Sequence, residues 1–124
     1  MSEIRVTTLK DTSGGNSSST ADIYSGRAKN WVNFNGTGTV AIRSSFNTNS
    51  ITDLSAGRYT INIANALADG NYSCTGTSSY FTGDQIGWDV NLGDLGTTSY
   101  TMTCTNTLNG ARADGEIQSC ACFR

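Results

Sequence analysis

Apolar residues recur at every second position over several short stretches of this chain. In residues 58–63, Tyr59, Ile61 and Ile63 alternate with Arg58, Thr60 and Asn62. A period of two places one set on one face of a pleated strand. Trp88, Val90 and Leu92 repeat the pattern, as do Tyr100, Met102 and Cys104. Residues 72–77 and 117–123 read as further strands. The most apolar region is 26–46, where Trp31, Val32 and Phe34 precede Asn35-Gly36, and Val40 and Ile42 come after it. Asn-Gly favours the left-handed dihedrals of a tight turn, so a hairpin is predicted here. Trp31, Phe34, Val40, Ile42 and Phe46 are expected to supply much of the core. Residues 47–51 read as a short strand or bridge, and 64–70 as a compact connection. Loops are expected at 53–57, 76–87 and 93–99, with turns at Asn109-Gly110 and Asp114-Gly115. About eight short strands without a long helix predict an all-β fold, an antiparallel, jelly-roll-like β-sandwich.

The N-terminal stretch is different. Ile4, Val6 and Leu9 alternate roughly with polar residues, and residues 11–20 are rich in Gly and Ser. This predicts an arm and linker over 1–19 and a sandwich domain over 20–124. A short strand on a flexible tether cannot bury its apolar side alone. It either joins its own sheet or docks on another subunit through Ile4, Val6 and Leu9. A single helical turn is expected at 20–26, capped by Thr20 and stopped by Gly26.

Composition narrows the function. Charged residues are 15% of the chain, and the eight basic ones are scattered along it, so a nucleic-acid partner is not expected. No apolar run approaches the roughly 20 residues of a membrane span. The first residues lack the apolar stretch of a secretory signal, so synthesis in the cytoplasm is expected. Four cysteines, Cys74, Cys104, Cys120 and Cys122, then read by default as buried thiols. A later disulfide is open to Cys74 with Cys104 or with a C-terminal cysteine. Cys120 and Cys122 share one strand face and cannot easily join each other.

The chain has no histidine, so a nucleophile with a histidine base is excluded, and no metal ligand set is recognisable. Its acids lie mostly beside Gly or Ser, where Asp serves turn geometry. The exception is Asp84, Asp89 and Asp94 around Trp88. No enzyme activity, metal or cofactor is expected. Exposed aromatics are the better lead. Tyr80 and Phe81 in a polar loop, with Trp88, Asp84 and Asp94 nearby, are the candidate receptor-binding residues, since aromatic rings stack on sugars or fill partner pockets.

Residues 26–43, GRAKNWVNFNGTGTVAIR, resemble a segment common in small virion proteins of tailed phages, notably those infecting cyanobacteria and other marine bacteria. Ser45-Phe46-Asn47, Ile51-Thr52-Asp53, Tyr59-Thr60-Ile61 and residues 66–72 are similar to the next segments of that family, and residues 8–16 to its leader. The resemblance covers about residues 4–75. It implies a structural virion protein made in the host cytoplasm. The leading expectation is a trimeric tail-fibre or adhesin component that attaches to the host surface. Its expected partners are other tail, baseplate or capsid proteins, two further copies of itself, and host surface polysaccharide. Capsid decoration or a head fibre is the alternative, and a non-viral carbohydrate-binding module of the same fold is a third.

Overall fold

In the computed structural model, residues 2–79, 88–107 and 109–124 are described. The N-terminal unit comes first. Strand β1 (Thr8–Lys10) pairs antiparallel with β2 (Ser17–Ser19). The stretch between them, expected as a flexible linker, closes this hairpin instead. Asp11 is the reason: its carboxylate accepts hydrogen bonds from Ser13 and Asn16, and its carbonyl accepts one from the Gly14 amide. Helix α1 (Thr20–Gly26) comes next, capped by Ser19 rather than Thr20. The Ser19 hydroxyl accepts from the Asp22 amide while the Asp22 carboxylate accepts from the Ser19 amide, a reciprocal capping box. No residue of α1 is buried.

Eight strands then build two four-stranded antiparallel sheets, as the alternating pattern predicts. The first contains β3 (Ala28–Asn35), β4 (Ala41–Phe46), β7 (Ser73–Ser79) and β10 (Ile117–Phe123), in the order β4-β3-β10-β7. The second contains β5 (Thr48–Ser55), β6 (Arg58–Ile63), β8 (Trp88–Gly93) and β9 (Ser99–Asn106), in the order β5-β6-β9-β8. The residues expected to loop at 53–55 and 76–79 thus continue β5 and β7.

The core lies between the sheets. Val32, Phe34, Cys120 and Cys122 from the first sheet meet Tyr59, Ile61, Ile63, Tyr100, Met102 and Cys104 from the second. Phe34 and Tyr59 pack edge to face at 5.1 Å. The hairpin's expected core contribution is corrected. Phe34 is buried and Val40 partly so, but Trp31, Ile42 and Phe46 are exposed. Trp31 and Phe34 are three residues apart, so a regular strand cannot turn both inward. Asn30, Val32 and Phe34 take the inner face of β3, and Trp31 takes the outer. Phe46 pairs with Trp31, and Ile42 lies on the edge strand β4, all of whose residues are exposed.

The predicted Asn-Gly turn is also different. The connection spans residues 36–40, and Gly38 carries the left-handed backbone, with φ 63°. Gly36 is required for close approach instead: a Cβ there would come 2.5 Å from the Tyr59 hydroxyl. That hydroxyl lies 2.6 Å from the Asp114 carboxylate and 3.2 Å from the Gly36 carbonyl.

The chain changes sheets at Asn47, between β4 and β5. Asn47 has φ 55°, which asparagine tolerates better than most residues. Its side chain donates to the Lys29 and Asn65 carbonyls and accepts from the Asn65 amide. Asn30, fully buried, braces the same corner by donating to the Asn47 carbonyl at 2.8 Å.

The cysteines split into two classes. Cys74 and Cys122 are directly opposed on β7 and β10, with Cα atoms 4.1 Å apart, and form a disulfide. This corrects the default of four thiols and selects one of the open pairings. Cys104 and Cys120 are buried free thiols, and burial pushes the pKa of each up to about 11.

Candidate functional site

The outer face of the first sheet carries the site. On β3, β10 and β7 the even positions point inward, so the odd ones form the outer face. The strand pairings line these up in two rows. One row is Phe46, Trp31, Ala121 and Thr75; the next is Ser44, Asn33, Ser119 and Thr77. The central strand β10 contributes only Ala and Ser here, while its neighbours contribute Trp, Asn and Thr. The small side chains in the middle leave a groove of about 270 Å³, lined by Trp31, Asn33, Thr75, Thr77, Ser119 and Ala121 among others.

Trp31 is 37% exposed and Phe46 47%. Both are bulky apolar rings on a surface where no residue of the two rows is charged. Beside them the Asn33 amide donates to the Ser119 hydroxyl at 2.7 Å, which fixes both polar groups in orientation. Thr75 and Thr77 border the other side. An aromatic plane flanked by oriented hydroxyl and amide groups can stack on the apolar face of a sugar ring and bond its hydroxyls.

A second cavity, about 320 Å³, opens between α1, the start of β3 and the 64–70 connection. Phe46, which lines it, is the strand partner of Trp31, which lines the groove. Arg27, Lys29 and Arg124 all reach it. The Arg27 guanidinium lies 5.1 Å from the Tyr24 ring centre and the Lys29 ammonium 3.6 Å from it. Lys29 also donates to the Tyr24 carbonyl. Arg124 makes a two-pronged contact with Asp69, with Nε 2.9 Å from the carboxylate. This bond, helped by the Asn71 amide, holds the Asp69 carboxyl pKa down at about 2, and the same pairing raises that of Arg124.

Among the described residues, those singled out from sequence as candidate binding or docking residues are not brought to this face. Tyr80, Phe81 and Asp84 lie outside the described residues. Trp88 opens β8, paired with Asn106 in the second sheet. Asp94 comes after β8 with φ 48°, and its carboxylate accepts from the Thr101 hydroxyl. Asp89 accepts from the Asn91 amide. Ile4, Val6 and Leu9 sit exposed in the N-terminal unit, Ile4 at 89%. Sequence reasoning missed Asn33, Thr75, Thr77, Ser119 and Ala121, and placed Trp31 in the core. For Trp31, Asn33, Ser119 and Ala121 the available signal was parity, since each lies at odd spacing from the buried residues of its own strand, whereas β7 has no buried residue to set a parity for Thr75 and Thr77.

No family model, curated protein or solved structure matches this chain.

Proposed function

We propose that this chain is a non-enzymatic attachment component of a tailed-phage virion, a trimeric tail fibre or adhesin that holds host surface polysaccharide on the outer face of its first sheet. The observation that carries the attachment role is the exposed Trp31–Phe46 pair beside the Asn33–Ser119 bond, set along an uncharged groove. Such a face is suited to holding a ligand by stacking and hydrogen bonding. The virion setting rests on the resemblance of residues 26–43 and the segments after them.

The N-terminal unit supports assembly with other chains. Ile4, Val6 and Leu9 expose apolar side chains, and the hairpin and helix bury none of their own. Exposed apolar groups of this kind favour docking on a neighbouring subunit or virion protein. The same unit equally favours a capsid-decoration or head-fibre role, in which the sheet face would be secondary.

Antibody labelling of assembled particles separates these readings. Label on the tail supports the fibre assignment, and label on the head supports decoration. Particles without label overturn the virion assignment altogether. Removing residues 2–19 should leave the sandwich folded while abolishing incorporation and trimer formation; normal incorporation would contradict the docking role.

A further inference from the structure

Building on the reading of the outer face as a sugar platform, we infer that the cavity beside α1 is a subsite for the carboxylate of an acidic sugar in the bound polysaccharide. Three of the chain's eight basic residues meet here, Arg27 and Lys29 from around the start of β3 and Arg124 from the far end of the sequence. Asp69 neutralises one of them through Arg124. Two positive charges remain, in a chain whose formal net charge is -2. A local reversal of sign inside a recess selects for an anion.

The groups are also placed for it. Arg27 makes no hydrogen bond or ion pair among the described residues, so its planar donors are free to meet a carboxylate. Its stacking on Tyr24, together with Lys29, restrains both cations before a ligand arrives. Asn47 and Asn65, bonded to each other, form a rigid wall. At about 320 Å³ the cavity sits near the lower end of small-ligand pockets, about 300–1,000 Å³, a size for one sugar unit rather than a polymer.

The neighbouring groove decides the class of anion. Lys29 lines the cavity two residues before Trp31 on β3, and Phe46, which also lines the cavity, pairs with Trp31, which lines the groove. A ligand spanning both must present apolar ring faces and hydroxyls to Trp31 and Asn33, and a negative group at Arg27 and Lys29. A polysaccharide containing uronic acid units has that chemistry.

The test uses the full chain and three acidic polysaccharides, polygalacturonate, alginate and xanthan, each beside its carboxyl-reduced form. Reduction removes the charge and keeps the linkage. Equilibrium binding should be stronger for at least one acidic form, by about tenfold over its reduced partner. Arg27→Gln should erase that difference, and Arg27→Lys should partly restore it. Arg27 is exposed, so both variants should fold, which thermal unfolding checks. Equal binding of acidic and reduced forms, or an unchanged preference in Arg27→Gln, overturns the acid subsite and leaves the platform standing. Absence of binding to every polysaccharide overturns both.

Discussion

Asn30 has no exposed surface, yet its amide is fully engaged. Its nitrogen donates to the Asn47 carbonyl at 2.8 Å and to the Thr48 hydroxyl at 2.9 Å, and its oxygen accepts from the Tyr100 hydroxyl at 2.7 Å. Replacing it with Leu keeps the branched shape but adds bulk and removes all three bonds, leaving the Tyr100 hydroxyl only the Cys120 sulfur and the Asn47 carbonyl only the Ala64 amide. We expect Asn30→Leu to lower stability by about 3 kcal/mol, measured by urea unfolding; an unchanged midpoint would show that the network is dispensable. The buried thiols make a second residue-level prediction. Burial raises the pKa of Cys104 and Cys120 to about 11 from an ordinary 9.0. Between these values the unfolded chain gives up protons that the native chain keeps. Stability is therefore fully present below about pH 9 and falls as pH rises toward 11. The Tyr59 and Tyr100 hydroxyls, also pushed upward chiefly by burial, deepen the loss. A urea midpoint that stays flat from pH 8 to 11 would contradict this. Asn30 and Gln118 are invisible as core residues in the sequence, because a buried amide looks like any other polar residue until its partners are known.

At the level of elements, alternation makes the strands readable and leaves the corners unread. β6 and β9 keep to their apolar periods residue for residue, since both supply the inner face of one sheet. The Trp31 hairpin misleads because its large side chains lie on both faces of β3, and burial of one parity forces exposure of the other. The bulge opposite Asn33 and Phe34, where the register skips Arg43, shifts the pairing again. Arg43 turns back to donate to the Phe34 and Glu116 carbonyls. Strand β7 reads short because Ser and Thr carry no apolar pattern; its place is secured by β10 and by the disulfide. Cys74 and Cys122 are 48 residues apart. A cross-link closing a loop of that length contributes up to about 4 kcal/mol in the chain-entropy account. The double variant Cys74→Ala/Cys122→Ala should lose stability on that order, with hydrogen exchange rising first along β7. Native protein should show no reactive thiol, and denatured protein two. Four thiols after denaturation would remove the disulfide.

For the whole molecule, the sandwich works as a rigid plate with distinct inner and outer surfaces. The inner surfaces hold the two sheets together through Phe34, Tyr59, Tyr100 and Met102. One outer surface carries a tryptophan, a groove and, at the end nearest α1, a cluster of cations assembled from both ends of the chain. That cluster cannot be read linearly: Arg27 and Arg124 meet only because β10 pairs with β3, placing the C-terminus beside the start of the domain. The fold class is legible because a period of two is a local property. The candidate site is not, because it depends on which strands become neighbours.

If the Trp31 face holds host polysaccharide, its loss should be felt at once in binding. The decisive experiment is equilibrium binding of the purified chain to polysaccharide from the host surface, comparing the native protein with Trp31→Ala. Trp31 is only partly buried, so the variant should unfold at nearly the same temperature. The native chain should bind, and Trp31→Ala should weaken binding at least about tenfold, as loss of an aromatic anchor does. Equal binding by the two proteins, or none by the native chain, would contradict a polysaccharide-holding role for this face.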